Sequence, residues 1–296
     1  MAGVYVKDNS TWKLPKSIWI KVGGVWRVCN NVYVKSGGAW REMMKTVTIT
    51  GNQKNFNLHN YVGRPSQPLN LIVTIPANVT ISSYDVLPKQ GYQNRYDKRY
   101  NIAPRTTAFT VGAFPAGSTV IINNNGYISG GGGFGGAGGY TQERGPQNTT
   151  AGGNGGNAGY GIVKGGSGYT CTIVNTGTIA GGGGGGGGGG ALVRSTGAAQ
   201  GGQGGDGAGI TGYAPNQGQA GQRGQAGTFI VFGGADTIGY GGDAGAGGSN
   251  GKNGVGGAAS PNGYPNTSSS GGVGRPAIAS SGIEIAVSGT ILGGIG

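Results

Sequence analysis

Histidine, cysteine and acidic residues are scarce in this chain of 296 residues, which has one His, two Cys and nine Asp or Glu. Acid–base catalysis and metal binding both need clusters of such groups. His59 has no Cys nearby, and Cys29 and Cys171 lie in different halves of the chain, so neither a metal motif nor a disulfide framework is present. The sequence therefore predicts no enzyme activity, no metal site and no cofactor.

Carboxylates are thinly spread through the C-terminal half as well. Asp206, Asp236 and Asp243 lie in or beside glycine-rich stretches, where we expect them to cap backbone N–H groups. A glycan-cleaving enzyme would need two carboxylates paired across the scissile bond. No such pair is indicated.

Long apolar runs are also missing. No stretch approaches the ~18 apolar residues of a membrane-spanning helix, and residues 1–7 contain no apolar secretory core. We expect a protein that is neither secreted by the usual route nor inserted in a membrane.

Glycine is abundant, with 73 residues in the chain, 11 of them in residues 1–129 and 62 in residues 130–296. Charge follows the same boundary, because 15 of the 21 Lys and Arg precede residue 130. These cations are dispersed rather than clustered on a nucleic-acid-reading element, so we expect no nucleic-acid binding. They suit docking onto an acidic protein surface, or solubility.

Three units of 14 residues follow one another without a gap at 4–17, 18–31 and 32–45. Each unit has a β-branched and aromatic stretch, then Asn-Ser or Gly-Gly, then a Trp, which predicts one β-hairpin per unit. The three Trp could form a private core, or each could fill an equivalent pocket on a trimeric partner. The candidate attachment residues are Tyr5, Trp12, Trp19, Trp26, Tyr33 and Trp40.

Residues 46–129 alternate strand-like runs with Pro, Asn and Gly, which predicts a small antiparallel β domain or a set of β layers. The runs are 46–50, 71–75, 79–81 and 118–122. Between them, residues 91–105 are rich in Tyr and Arg, and form either a contact surface or an exposed polar loop.

From residue 130 the glycines fall in blocks, several with Gly at every third position, as in the series from Gly242 to Gly257. A period of three indicates helices of the polyproline-II type, here packed polyglycine-II helices. Collagen is excluded because these blocks lack Pro and restart in different frames. A flexible linker is disfavoured because apolar runs at 170–174, 228–232 and 283–287 need burial. We expect 181–190 at the centre of the bundle, and blocks with Asn, Gln or Asp at one position in three on its faces.

The pattern x-Gly-x-Ile-x-Gly-Gly occurs at 125–131, 176–182 and 288–294, and two of these copies lead into a glycine block. They are predicted to be equivalent positions at the end of the bundle nearest the β domain. The chain is thereby divided into 1–45, 46–129 and 130–296.

The stretch AFPAGSTVIINNNGYISGGGGFGGAGG at 113–139, with its separated glycine blocks, resembles the tip adhesins of T-even-like long tail fibres of bacteriophages. That resemblance implies an N-terminal region capping a trimeric fibre, a polyglycine-II body, and variable loops that bind outer-membrane receptors. Residues 46–129 have no counterpart in it, which leaves open a siphophage relative that uses the same glycine module.

Counting the direction of successive blocks places the turns 140–151 and 191–200 at the far end of the bundle, and composition adds 210–217 and 258–270. Tyr, Arg, Asn and Gln in such loops suit recognition. The alternative is that the tyrosines cover the ends of glycine helices. The candidate receptor-binding residues are Tyr140, Gln142, Arg144, Leu192, Arg194, Tyr213, Asn216, Tyr264 and Asn266.

The sequence thus predicts an all-β or irregular fold and a virion protein at the distal end of a phage tail or tail fibre. Its expected partners are a trimeric tail-fibre or tail-tip protein, and a bacterial outer-membrane protein or surface glycan. A structural fibre cap or assembly protein remains open, as does a glycine-rich ice-binding bundle. The irregular loops argue against ice binding, which wants a flat and regular face.

Overall fold

A computed structural model describes residues 6–8, 11–13, 18–29, 31–36, 38–83, 107–133, 136, 154–187, 192–194, 197–199, 226–229, 237–240, 251–255, 270–271, 273–279, 282–287 and 289–296. In this part strands dominate, and the one helix is α1, Leu58–Tyr61. The expected all-β fold is therefore confirmed. Across the same residues, no helix reaches the length and apolarity that crossing a membrane requires.

The strands fall into two groups along the chain. Those up to residue 129 are β1 (Val6–Asp8), β2 (Thr11–Lys13), β3 (Ile18–Val22), β4 (Val25–Cys29), β5 (Asn31–Ser36), β6 (Ala39–Thr48), β7 (Gln53–Lys54), β8 (Phe56–Asn57), β9 (Asn70–Ile75), β10 (Thr80–Ser82), β11 (Phe109–Thr110), β12 (Thr119–Asn124) and β13 (Tyr127–Ser129). Those beyond it are β14 (Ile162–Val163), β15 (Thr170–Asn175), β16 (Thr178–Ala180), β17 (Leu192–Arg194), β18 (Gly197–Ala199), β19 (Ala226–Phe229), β20 (Thr237–Tyr240), β21 (Ile283–Val287) and β22 (Thr290–Leu292).

Three parallel sheets form a three-sided solenoid. The first sheet contains β6, β9, β12, β15 and β21, the second contains β7, β10, β13, β16 and β22, and the third contains β8, β11 and β14. Parallel bridges from Ile162 to Ile278 and from Ile278 to Ile295 extend the third sheet. The chain thus makes five turns, here called rungs, each contributing to all three sheets.

Of the two alternatives for residues 46–129, the antiparallel domain is wrong and a set of β layers is present, and each of the four predicted strand runs overlaps a strand. Short turns such as 76–79 resemble hairpin turns, but here they carry the chain around a corner into the next sheet. The partner of each strand therefore lies one rung away. Along the first sheet, one register joins Lys45, Leu71, Val120, Cys171 and Ile283.

The interior of the solenoid is a continuous apolar core. Leu71, Ile122, Phe109, Ile128 and Ile173 are completely shielded from solvent. Burial of a side chain of this size contributes roughly 1.5–3 kcal/mol, so the core stabilises the five rungs jointly. Strands before and after residue 130 share this core, while the division into 1–45, 46–129 and 130–296 stays a prediction.

The predicted equivalence of the three x-Gly-x-Ile-x-Gly-Gly copies is confirmed, because each copy contains a strand of the second sheet in successive rungs and follows the corner between the first and second sheets. Ile128, Ile179 and Ile291 lie in register along the second sheet. Beside them, the buried Asn124 side chain donates from Nδ2 to Oδ1 of Asn175 at 2.8 Å. Stacked buried amides satisfy each other's hydrogen bonds, which explains why polar residues are tolerated inside this corner.

All long insertions leave the solenoid at the corner between the second and third sheets. Residues 83–108, 130–161 and 181–277 each connect a strand of the second sheet to the third sheet. The first and last rungs cross the same corner with one or two residues, at Asn55 and at 293–294. The glycine blocks are therefore excursions from one side of the solenoid.

Candidate functional site

The three N-terminal repeats form three antiparallel hairpins, which confirms the prediction of one hairpin per unit. The strand pairs are β1 with β2, β3 with β4, and β5 with β6. Each hairpin has a Lys directly opposite its Trp in the same register: Lys7 and Trp12, Lys21 and Trp26, Lys35 and Trp40. In the second hairpin, the Lys21 ammonium lies 5.9 Å from the centre of the Trp26 ring.

Aromatic side chains of the second and third hairpins are open to solvent. Trp26 is 62% exposed and Trp40 is 68% exposed, with Trp19 and Tyr33 at least half exposed. On its opposite face, the second hairpin also exposes apolar side chains, among them Ile20. Exposed apolar surface on this scale marks an interaction site. The backbone of Trp12 lies in β2, whereas Tyr5 lies outside the described residues.

Extended glycine segments, here called legs, run beside one another next to the solenoid. In chain order they are 130–133 with 136, then 154–160, then 181–187, then 251–255, and finally 270–271 with 273–276. Hydrogen bonds join the third leg to each of the other four, for example Gly133 N to Gly183 O and Gly185 N to Gly156 O. Residues 181–187 are all buried, as expected for the centre of the bundle.

The hydrogen bonds between legs recur every third residue. Gly184 and Gly187 donate to the fourth leg, at Lys252 O and Val255 O, each at 2.9 Å. The residues between them donate to or accept from other legs, so one segment bonds neighbours in several directions.

The legs approach so closely that a Cβ atom has no room. A Cβ on Gly182 would lie 2.0 Å from Gly131 O, and one on Gly133 would lie 1.9 Å from Gly156 O. Ordinary carbon–oxygen contacts are longer by more than an ångström, so both positions require glycine.

Asparagines at one position in three lie on the outer legs, as the sequence predicted for faces of the bundle. Oδ1 of Asn154 accepts from Ser270 N at 2.9 Å, and Oδ1 of Asn157 accepts from Val273 N at 2.8 Å. Both asparagines are exposed. The spacing of Asn in 152–159 indicated that these residues lie on a face of the bundle, but the sequence did not indicate which leg they would contact.

Of the predicted receptor-binding residues, the structure describes only the backbone of Leu192 and Arg194. Both lie in β17, which pairs with β18 as an antiparallel hairpin. β18 contacts β19, whose own partner is β20, so residues 228–229 of the expected strand at 228–232 lie with this hairpin and not in a sheet of the solenoid, while 230–232 lie outside the described residues. Outside the described residues lie Tyr140, Gln142, Arg144, Tyr213, Asn216, Tyr264 and Asn266.

A cluster of ionisable groups lies at the corner between the third and first sheets. The buried Lys164 donates to Tyr169 O at 2.9 Å, and the Tyr169 hydroxyl donates to Gly112 O at 2.7 Å. Burial raises the pKa of the Tyr169 hydroxyl, and the neighbouring Cys171 adds to the increase. Burial also raises the pKa of the Cys171 thiol to about 11, against the opposing charge of Lys164. Both groups are therefore neutral at pH 7, and the Tyr169 hydroxyl fastens its turn to Gly112 of the preceding rung.

No group of three or more His, Cys, Asp or Glu side chains that could hold a metal occurs among the residues described. His59 packs edge-on against Phe114, with 5.1 Å between the ring centres. In this position it covers the aromatic residues of one solenoid corner.

Comparison with known proteins gives one family. Neither the curated proteins nor the solved structures contain a match. The model of the family described as phage tail fibre adhesin Gp38 matches residues 44–296, which includes the whole solenoid and all five legs. That family is one of tail adhesins and not of enzymes, and the hairpins before residue 44 lie outside the match. The chain therefore belongs to the phage tail fibre adhesin Gp38 family.

Proposed function

We propose that this chain is the adhesin at the distal end of its tail fibre, and that loops between glycine legs recognise the host receptor. The observation that carries the proposal is the common corner from which 130–161 and 181–277 leave the solenoid. The described legs of both insertions lie next to one another beside this corner. The receptor is an outer-membrane protein or a surface glycan.

The legs act as a polyglycine-II bundle in this proposal. Support comes from hydrogen bonds that recur every third residue, such as those from Gly130, Gly133 and Gly136 to the third leg. A helix with three residues per turn directs successive N–H groups at different neighbours, as the third leg does. Such a scaffold is rigid without side chains, so its loops are free to vary.

The directions of the legs support a distal position for three loops. The first, third and fourth legs run the same way, while the second runs opposite to the third and the fifth runs with the second. Loops 140–151, 191–200 and 258–270 each follow a leg that runs in the direction away from the solenoid. We assign receptor contact first to 140–151 and 191–200, and second to 258–270 and 210–217.

We assign attachment to the virion to residues 4–45. The three hairpins share one Lys–Trp register, and their aromatic residues are exposed where the structure describes them. A threefold repeat suits a trimeric fibre protein that offers three equivalent pockets.

Exchange of 140–151 and 191–200 for the loops of a related phage with another host tests receptor recognition. The expected result is a switch of host range in an adsorption assay, with the melting temperature of the purified protein unchanged. Unchanged adsorption after both exchanges would move the receptor site elsewhere, to 91–105 in the first instance.

Replacement of Trp12, Trp26 and Trp40 together by Ala tests attachment. Co-purification with the fibre should be lost, while the solenoid and legs remain folded. Wild-type affinity of the triple variant for its fibre would contradict this part of the proposal.

A further inference from the structure

The fifth leg lies at the surface between the second and fourth legs. Its main chain accepts from Gly155 N at 2.8 Å, and a Cβ on Gly271 would lie 1.9 Å from Gly254 O of the fourth leg. The three legs form one flank of the stack. Its exposed side chains, which define the leg flank, are Asn154, Asn157, Lys252, Asn253, Val255, Ser270 and Val273.

The three asparagines of the leg flank all have their oxygen engaged by the fifth leg. Oδ1 of Asn154, Asn157 and Asn253 accepts main-chain N–H groups at 2.9, 2.8 and 2.9 Å. Within the described residues, the Nδ2 group of these exposed side chains has no hydrogen bond. Each amide therefore presents its two N–H donors outward, while one lone pair of its Oδ1 is already used.

Cationic groups accompany these donors. Lys252 is exposed on the fourth leg, and Arg275 of the fifth leg donates from Nη1 to the Tyr160 hydroxyl at 3.1 Å. The Arg275 guanidinium lies 5.1 Å from the centre of the Tyr160 ring, which holds it at the surface. The described residues of the five legs contain no Asp or Glu.

A surface with amide donors, cations and no carboxylate among its described residues suits a ligand rich in anionic acceptors. Asn154 and Asn157 are three residues apart on an extended leg, which puts their amides roughly 9 Å apart. A repeated array of this kind suits a polymer better than a single anion. Val255 and Val273, exposed by 59% and 43%, add apolar contacts for the C–H faces of sugar rings.

We propose that the leg flank binds an acidic polysaccharide of the bacterial surface through its carboxylate groups. This surface is made of leg residues and contains nothing of 140–151 or 191–200, so the inference goes beyond the function proposed above. A contact of this kind would hold the fibre along the polysaccharide layer while the loops search for the receptor. Charge-dependent contacts also raise association rates, and they weaken as salt increases.

The test uses the full-length protein, with alginate as a polyuronate probe and dextran as a neutral one, in biolayer interferometry at low salt. The variant N154D/N157D/N253D keeps every acceptor for the fifth leg but replaces outward donors by acceptors. Wild-type protein should bind alginate and not dextran, and the variant should lose alginate affinity at least about tenfold, equivalent to about 1.4 kcal/mol.

The matched control is N52D/N57D/N60D on the solenoid, which changes the net charge by the same amount. There too each Oδ1 already accepts a hydrogen bond, from Thr80 N, Asn60 N and Arg64 Nε respectively. The control should bind alginate within about twofold of wild type, and the protein with exchanged 140–151 and 191–200 loops should bind it unchanged. Equal losses in both triple variants, no loss in the first, or no preference of wild type for alginate over dextran would overturn the proposal.

Discussion

The solenoid and the glycine legs are held together by opposite means within one chain. In the solenoid, side chains such as Phe109 and Ile122 fill the interior and exclude water. In the legs, side chains are missing where neighbours meet, and main-chain N–H and C=O groups pair instead. Hydrophobic burial is non-directional, whereas these hydrogen bonds fix the spacing and direction of each leg.

The two regions are nevertheless continuous in register. Ser129 of β13 pairs with Ala180 of β16, and the next residue, Gly130, donates to Ala180 O at 2.9 Å. The first and third legs thus begin already aligned by the second sheet. Ordering a glycine-rich segment costs conformational entropy. The solenoid reduces this cost because it fixes the starting point of each of these legs.

The largest expected effect is a cavity in the solenoid. Phe109→Ala removes a completely buried ring that packs 5.2 Å from the ring of Phe56, and should lower the free energy of unfolding by about 3–5 kcal/mol. Chemical denaturation measures this change. The control Val174→Ala, on the outer face of the first sheet, should change stability by less than about 0.5 kcal/mol. Equal stability of the two variants would contradict the burial of Phe109 in an apolar core.

Crowding of the legs should have the next largest effect. Gly182→Ala places a Cβ against Gly131 O and should cost about 1–3 kcal/mol through overpacking. In the control Gly63→Ala, the added Cβ has no atom within 4 Å. Only the positive φ of this residue is unfavourable for alanine, which should lower the stability by about 1 kcal/mol. Thermal unfolding compares them. A smaller loss at Gly182 than at Gly63 would show that the legs are not closely packed.

Removal of a single leg hydrogen bond should have a smaller effect. Asn157→Ala leaves Val273 N without its acceptor at an exposed site, and should cost about 1 kcal/mol. Asn157→Asp retains the acceptor, so its stability should equal that of wild type. Thermal denaturation of both variants in one buffer checks the difference. If the Asp variant were as unstable as the Ala variant, the side-chain bond would not be the cause.

Alkaline pH should weaken the solenoid slightly. The pKa of Cys171 is raised from 9.0 to about 11 by burial, so the folded state holds the thiol proton more tightly than the unfolded state. This contribution is complete below the unfolded pKa and is lost as pH rises from 9 towards 11. Denaturation curves of wild type and Cys171→Ala should show a steeper alkaline loss in wild type. Parallel pH profiles of the two proteins would show that Cys171 does not cause the alkaline loss of stability.

Much of this architecture was predictable from local patterns. The hairpin units follow from their turn residues, and the position of 181–187 at the centre follows from the absence of any side chain. The parallel pairing did not follow, because Leu71 and Val120 are separated in sequence by a turn, an insertion and two further strands. Rungs of unequal length leave no period in the sequence. The leg flank was equally hidden, since it depends on which legs become neighbours.

Amide hydrogen exchange tests most directly the claim that main-chain hydrogen bonds hold the legs as firmly as burial holds the solenoid. The account predicts that Gly133, Gly184 and Gly185 exchange as slowly as the amides of β12 and β15, because all are donors in ordered hydrogen bonds away from solvent. Exchange of these glycine amides at the rate of an unstructured peptide, with the solenoid still protected, would contradict it.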